Sequence, residues 1–200
     1  DEFTVFSTVA LSNLSDNPVK DLWELARKVD GWGKIQLVVR IANMELSQEL
    51  KDWLILDGYK NSIMNEYLAC TCALNGELHK KLQNEKIDNK LFKTTGEIIE
   101  ALISGGPAED ISDYEFAPET VENFIRHGIT QVKDITDFIT LNSIKDFLIE
   151  IQDDTGEHKK NGWTQDIISN CLIDINETIK NKDWKEQAEI ALKSDDNILY

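Results

Sequence analysis

The chain has few of the residues that usually carry chemistry: 3 histidines, 3 cysteines and 2 methionines among 200 residues. It contains no Gly-x-Ser-x-Gly nucleophile elbow, no Gly-x-x-x-x-Gly-Lys phosphate loop, no His-Glu-x-x-His pair and no dinucleotide-binding glycine fingerprint. The common sequence signatures of hydrolases, nucleotide-binding enzymes and zinc proteases are therefore missing. We predict no catalytic residue, no metal site and no cofactor.

The three histidines do not indicate a general base. His79 lies near a predicted helix end, and His127 precedes Gly128 at a predicted helix stop. We interpret both as cations near helix C-termini, where the helix dipole favours positive charge. His158 stands in a polar stretch.

Cysteine is too scarce and too closely spaced for a disulfide framework. Cys70 and Cys72 lie two residues apart in a helical pattern, where they cannot bridge comfortably, and Cys171 lies on an apolar helical face. We expect three reduced cysteines packed in the core, which favours a cytoplasmic location. A soft-metal site at Cys70 and Cys72 is the alternative, although no second Cys or His pair stands at a zinc-site spacing.

Long apolar runs are also missing, and none of the Lys clusters is interleaved with aromatic or Arg residues. No stretch approaches the roughly 20 apolar residues needed to cross a bilayer, and no basic region followed by an apolar stretch begins the chain. Acidic residues outnumber basic ones by 37 to 21, which gives a net charge of −16, and most of the excess lies in residues 84–200. A phosphate backbone would need a basic face. We expect no membrane and no nucleic acid partner, whereas a basic protein or peptide is electrostatically favoured.

Three similar turns are present in this sequence: Asp30-Gly31-Trp32, Asp57-Gly58-Tyr59 and Asn161-Gly162-Trp163. Each precedes an apolar run at helical spacing, and the first two lie 27 residues apart. The Asp or Asn can cap the following helix, the Gly relieves crowding and the ring covers the seam between helices. We therefore predict a repeated helix-turn-helix unit in which the three rings are structural.

Helical periodicity surrounds these turns. The first unit places one apolar face before the turn and another after it; these faces consist of Leu22, Trp23, Leu25, Ala26 and Val29, and of Ile35, Val38, Val39, Ile41 and Ala42. The second unit repeats the pattern with Leu50, Trp53, Leu54 and Leu56, and with Ile63, Met64, Tyr67, Leu68 and Cys70. Further helices are predicted near both ends, on Val5, Phe6, Val9, Ala10 and Leu11 and on Trp184, Ala188, Ala191 and Leu192.

The pattern predicts an all-α fold in two helical groups. Residues 1–103 form the N-terminal helical-repeat group and residues 119–200 the C-terminal group. Residues 104–118 contain Gly and Pro residues typical of loops, and we expect them to form an acidic linker loop between the two groups. Residues 94–125 contain 8 acidic and no basic residues, which we interpret as a solvated surface rather than a calcium loop.

The paired helices resemble HEAT or armadillo repeats. Val39-Arg40-Ile41-Ala42 is similar to the Val-Arg-x-x-Ala stretch in the second helix of a HEAT unit. The resemblance covers residues 1–75 and, more loosely, 118–194, but the 27-residue offset departs from the family's period of about 40. It implies an alpha-alpha superhelix of stacked antiparallel helix pairs. An irregular orthogonal bundle is the alternative.

Such a superhelix would present its second helices along a concave face. Polar side chains at these positions are predicted to bind a partner, and they are Lys34, Arg40, Asn61, Asn65 and Glu66. The leading hypothesis is therefore a protein- or peptide-binding helical-repeat scaffold without catalytic activity. A solvated helix face without a partner is the alternative for each residue, and a structural or regulatory domain cut from a longer protein is the alternative for the chain.

A second resemblance concerns the segment that runs from Asp30 through the Gly58-Tyr59 turn to Ala69. It is similar to bacterial proteins that sometimes carry a limonene hydroxylase label. That resemblance implies a small-molecule monooxygenase, which would need haem, flavin or non-haem iron. The sequence contains neither a haem-type Cys context nor two His and a carboxylate at a plausible spacing.

Overall fold

A computed structural model describes residues 2–153, 161–180 and 183–193, and the regular elements in these ranges are all helical. The predicted all-α class is confirmed. The side chains of Val5 and Leu192, and His158, lie outside the described residues. The elements are α1 (Glu2–Leu14), α2 (Pro18–Ala26), α3 (Gly31–Ala42), α4 (Gln48–Trp53), a π turn (Leu54–Gly58), α5 (Glu66–Asn75), α6 (Leu78–Leu82), α7 (Asn89–Ser104), α8 (Ala117–Gln131), α9 (Ile135–Gln152), α10 (Gln165–Lys180) and α11 (Trp184–Lys193).

The helices pack mainly on near neighbours in the chain. The N-terminal helix α1 contacts α2 and α3, α3 contacts α5, and α5 contacts α7. Helix α7 then packs against α8 and α9, α10 packs against the same two helices, and α11 packs on α9. Among the described residues, no helix is long and apolar enough to cross a bilayer.

Two clusters of buried side chains form the core. The larger cluster extends from Ile35 on α3 to Ile175 on α10. The smaller cluster lies between α2, α3 and α4 and consists of Leu22, Ala26, Leu37, Ile41 and Leu50. Trp53 packs against both clusters and therefore joins them. All three cysteines are free and buried, as predicted.

The predicted linker is a loop that contributes to the core. Helix α7 ends at Ser104 and α8 begins at Ala117. Within the loop Ile111 and Tyr114 are buried, while Asp113 is exposed. Glu109, Asp113 and Glu115 thus face water, while Ile111 and Tyr114 attach the loop to the larger cluster.

The Asp30-Gly31-Trp32 turn begins α3 as predicted. Asp30 is the N-cap, and its carboxylate accepts hydrogen bonds from the Gly31 N–H at 2.7 Å and from the Ser62 N–H at 2.9 Å. These donors lower the pKa of Asp30. Gly31 has a φ of +60°, which explains its place here. Trp32 packs on Tyr67 with ring centroids 4.9 Å apart but is 48% exposed, so this ring covers the junction between helices only in part.

The Asp57-Gly58-Tyr59 turn does not begin a helix. Asp57 and Gly58 belong to the π turn that continues α4, and the next helix starts only at Glu66. Burial of Ile55 and Tyr59 keeps the chain helical through Gly58, because core packing outweighs the local turn preference of the Asp-Gly pair. The prediction that Ile63 and Met64 open a helix is therefore wrong: both lie in the loop 59–65.

The Asn161-Gly162-Trp163 turn precedes α10 and is structural as predicted. The Asn161 amide donates to the Ser112 carbonyl oxygen at 2.6 Å and attaches the turn to the loop after α7. Gly162 has a φ of +86°. Trp163 is 2% exposed and packs edge-on against Phe147 with ring centroids 5.6 Å apart.

Both described histidines are buried. His127 does not mark a helix stop, because α8 continues to Gln131 with Gly128 packed near Phe92. The His127 ring nitrogen Nε2 lies 2.9 Å from the Leu82 carbonyl oxygen at the end of α6. His79 stacks on Phe116 with centroids 3.6 Å apart, and burial lowers its pKa, which disfavours the predicted cation.

Glu77 connects three helices. It follows α5, precedes α6 and has a φ of +55°, the one positive φ of a non-glycine residue among the described residues. Its carboxylate accepts hydrogen bonds from the ammonium groups of Lys51 at 2.8 Å and Lys80 at 2.6 Å. These bonds lower the pKa of Glu77 to about 2. The pair with Lys51 holds α4 beside α6.

We predict that Trp163→Ala lowers the free energy of unfolding by about 3–5 kcal/mol, because it leaves a cavity beside Phe147. Trp32→Ala should lower it by much less, because half of that ring already faces water. Urea unfolding followed by circular dichroism measures both variants. Equal losses of unfolding free energy would contradict the prediction, because they would show that the contribution of each ring does not follow its burial.

We predict that Glu77→Gln destabilises the protein at neutral pH and that the loss shrinks in acid. The folded pKa lies below the ordinary 4.5, so the ion pairs stabilise the fold above about pH 4.5. That stabilisation is lost as the pH falls toward 2. Urea unfolding at pH 7 and pH 3 tests this, with the exposed Glu85→Gln as control. A loss of equal size at both pH values would contradict the prediction.

Candidate functional site

An open groove crosses the surface where α2, α3 and α4 meet. Its first part encloses about 420 Å³ and is lined by Trp23, Arg27, Lys34, Glu49, Asp52, Trp53, Leu56 and Asp57. A second part of about 270 Å³ adjoins it and leads to α6 and α7; it shares Asp52 and Leu56 and adds Ile55, Lys81, Asn84, Asp88 and Leu91. We call these two parts together the tryptophan groove.

The two indole rings form one wall of the first part. Trp23 and Trp53 meet edge to face with centroids 6.2 Å apart, a favourable aromatic geometry. Trp53 is fixed because it packs against both core clusters. The indole N–H of Trp23 is buried without an acceptor among the described residues. The wall is therefore rigid, apolar and partly exposed.

Two cations lie against these rings. The Arg27 guanidinium carbon is 5.5 Å from the Trp23 ring centroid, and the Lys34 ammonium nitrogen is 5.9 Å from that of Trp53. Lys34 also donates to the Asp57 carbonyl oxygen at 2.9 Å. Burial lowers the pKa of Lys34, and the nearby carboxylate of Asp30 opposes that shift. Within the described part of the chain, neither cation has a carboxylate oxygen within 4 Å.

The acidic side chains of the first part are mostly neutralised. Asp52 forms an ion pair with Lys81, and Asp57 lies 3.6 Å from the Lys90 ammonium nitrogen. Burial opposes ionisation of Asp52, but hydrogen bonds from Lys81 and Gln48 outweigh it and lower its pKa. Glu49 is exposed and has no such pair among the described residues.

Residues of the π turn form the floor of the groove. Such turns widen the hydrogen-bonding pattern of a helix by one residue and are frequent at functional sites. Here the turn buries Leu54 and Ile55, leaves Leu56 in the groove and presents the Asp57 carbonyl oxygen to Lys34. The turn thus connects the floor of the groove to its cationic side.

Of the five residues predicted to bind a partner, Lys34 lies in the tryptophan groove. Arg40, also on α3, instead donates to the Ser12 hydroxyl at 2.7 Å and lines a different hollow of about 480 Å³ against α1. The spacing of six residues between them places the two side chains on different sides of α3. They do not line one groove.

The other three predicted residues surround the loop that follows the π turn. The Asn61 side chain donates to the Met64 carbonyl oxygen at 2.8 Å and accepts from the Ile63 N–H at 2.9 Å. The Asn65 side chain accepts from the Asn61 N–H at 3.3 Å. Glu66 is half-buried at the start of α5. The structure therefore brings Asn61 and Asn65 together, as residues that shape this loop.

The sequence interpretation missed most of the groove. Trp23, Trp53 and Leu56 were assigned to apolar helix faces, and Arg27 and Asp52 had no predicted role. The one available signal was that two tryptophans occupy predicted first helices, since Trp is highly buried on average but rarely completely so. The pairing of the two rings depends on tertiary packing.

Among residues 2–153, 161–180 and 183–193, no three His, Cys, Asp or Glu side chains are arranged to hold a metal ion. The chain matches no protein-family model, and neither a curated protein nor a solved structure is significantly similar to it.

Proposed function

We propose that this chain is a helical-repeat scaffold that binds an extended segment of another protein in the tryptophan groove. The observation that carries the proposal is that the two parts of the groove share Asp52 and Leu56 in their lining. An open groove with a rigid aromatic wall and polar edges suits a polypeptide, whose apolar side chains and backbone can both find contacts.

The proposed architecture is an irregular superhelix of the HEAT type. It is supported by the order of packing, in which α3, α5, α7 and α9 each contact the next member of the series. Repeat proteins built in this way use extended grooves for partners. The irregularity follows from the π turn, which replaces the second predicted corner.

The partner's charge can be proposed from the whole chain. A net charge of −16 favours association with a basic protein and disfavours nucleic acid. Toward α7 the groove carries Asp88, which is exposed and has no cation within 4 Å among the described ion pairs. A basic side chain of the partner would fit this end. Three buried free thiols support the proposed cytoplasmic location.

We predict that Leu56→Arg weakens partner binding by at least about tenfold, because it places charge where both parts of the groove meet. The partner is found by placing a photo-crosslinking amino acid at position 56 in the full chain and, separately, at position 129. Polypeptide segments captured at position 56 alone are synthesised and titrated by calorimetry.

Ile129→Arg is the matched control, because Ile129 is 60% exposed on α8 and lies outside the residues that line the groove. It should leave the affinity unchanged. If no segment is captured specifically at position 56, or if Leu56→Arg binds the segment as tightly as the unmodified chain, the proposed function is wrong.

A further inference from the structure

Two cations of the tryptophan groove have no close ion-pair partner. In the first part, Asp52 forms an ion pair with Lys81, and Asp57 lies 3.6 Å from the Lys90 ammonium nitrogen. Arg27 and Lys34 have no carboxylate oxygen within 4 Å among the described ion pairs, and the carboxylate of Asp30 acts on Lys34 only from a greater distance. Both cations can therefore accept a closer anionic partner.

The Lys34 ammonium group can donate further hydrogen bonds. Its ammonium group has three N–H donors, and one of them is used by the Asp57 carbonyl oxygen. It is half-buried beside Trp53, in surroundings that exclude part of its hydration. A partly desolvated cation gains most from an anionic ligand, because the surrounding medium screens that contact weakly.

The position of the two cations limits the source of the anion. Both line the first part of the groove and neither lines the second part, whereas Asp88 lies in the second part only. A bound chain that follows the groove would thus have its negative end at Arg27 and Lys34 and its positive end toward Asp88. The free C-terminus of a peptide supplies a carboxylate without any acidic side chain.

We infer that Arg27 and Lys34 bind the C-terminal carboxylate of the partner, whose last side chain is large and apolar and lies on Trp23 and Trp53. This inference rests on the proposed function and names the ligand class of the same groove. Arg27 can contact a carboxylate with two parallel N–H donors, and Lys34 acts as a point charge beside it. The indole wall then selects an apolar last residue.

The test uses two pools of acetylated tetrapeptides that end in Leu or Phe with degenerate preceding positions. One pool has a free C-terminal carboxylate, and the other has a C-terminal amide. Each pool is passed over the immobilised full chain, and bound peptides are identified and titrated. We expect the acid pool to be retained and the amide pool to bind at least about tenfold more weakly, as for the loss of one charge-assisted hydrogen bond.

Variants assign the effect to the two cations. Arg27→Gln and Lys34→Met should each reduce the affinity for the acid peptides toward that for the amides, while Lys28→Gln should not. Lys28 is exposed beside Arg27 but does not line the groove, so it is a matched charge control. Arg27 is exposed, so its variant keeps the test valid even if Lys34→Met unfolds.

The outcomes separate the inference from the proposed function. Equal retention of acid and amide pools would overturn the carboxylate anchor and leave the groove as the binding surface. An equal effect of Lys28→Gln and Arg27→Gln would likewise overturn the anchor, because it would indicate general charge attraction. Failure of both pools to bind would overturn the anchor, while crosslinking at position 56 would still decide the proposed function.

Discussion

The close approach of α7 to its neighbours determines the arrangement of the other helices. Gly96 lies where α7 meets α8 and α9, and an added Cβ would stand 3.0 Å from Thr140 Cγ2 and 3.3 Å from Phe124 Cζ. A glycine inside a helix costs about 1 kcal/mol relative to alanine. Here it lets Phe92 and Phe124 stack with centroids 4.6 Å apart. The short distance between the helix axes sets the geometry of the larger core.

Helix α7 also forms polar contacts with residues that directly follow the groove floor. Glu97 on α7 accepts a hydrogen bond from the buried Tyr59 hydroxyl and lies 3.1 Å from the Lys60 ammonium nitrogen. Burial, together with the hydrogen bond to Glu97, raises the pKa of Tyr59, so it stays protonated as a donor. Tyr59 directly follows the π turn, whose residues form the groove floor. These contacts fix the π turn in the free protein, so less conformational entropy would be lost when a partner binds.

Local periodicity was sufficient to predict the all-α class and several of the helices, but not where the helices begin and end. The bond from the Gly31 N–H to Asp30 and the positive φ of Gly31 are local, so their turn could be predicted from the sequence, whereas the bond from the distant Ser62 N–H could not. Gly58 stays helical because Ile55 and Tyr59 are buried by helices far along the chain, and no local rule contains that information. Gly128 continues α8 for a comparable tertiary reason.

The candidate site was less predictable than the fold. Lys34 was predicted to bind a partner because it is a polar side chain among apolar helix positions; it lines the groove, and its binding role stays a prediction. Arg40 was selected by the same rule, yet the rotation of α3 directs it toward α1. The polar side chains of Asn61 and Asn65 are used to shape the loop they occupy. Polarity alone does not distinguish a residue that binds a ligand from one that binds its own backbone.

The rates at which the buried cysteine thiols react would report on the internal motions of this protein. Burial raises the pKa of Cys70 and of Cys171 to about 12, so almost no thiolate exists at neutral pH while the helices are closed. Reaction with a thiol reagent must then wait for a local opening, and its rate reports how often that opening occurs. Because Cys70 lies on α5 and Cys171 on α10, the reaction rates of the two thiols report on opening at two different helices of the larger core.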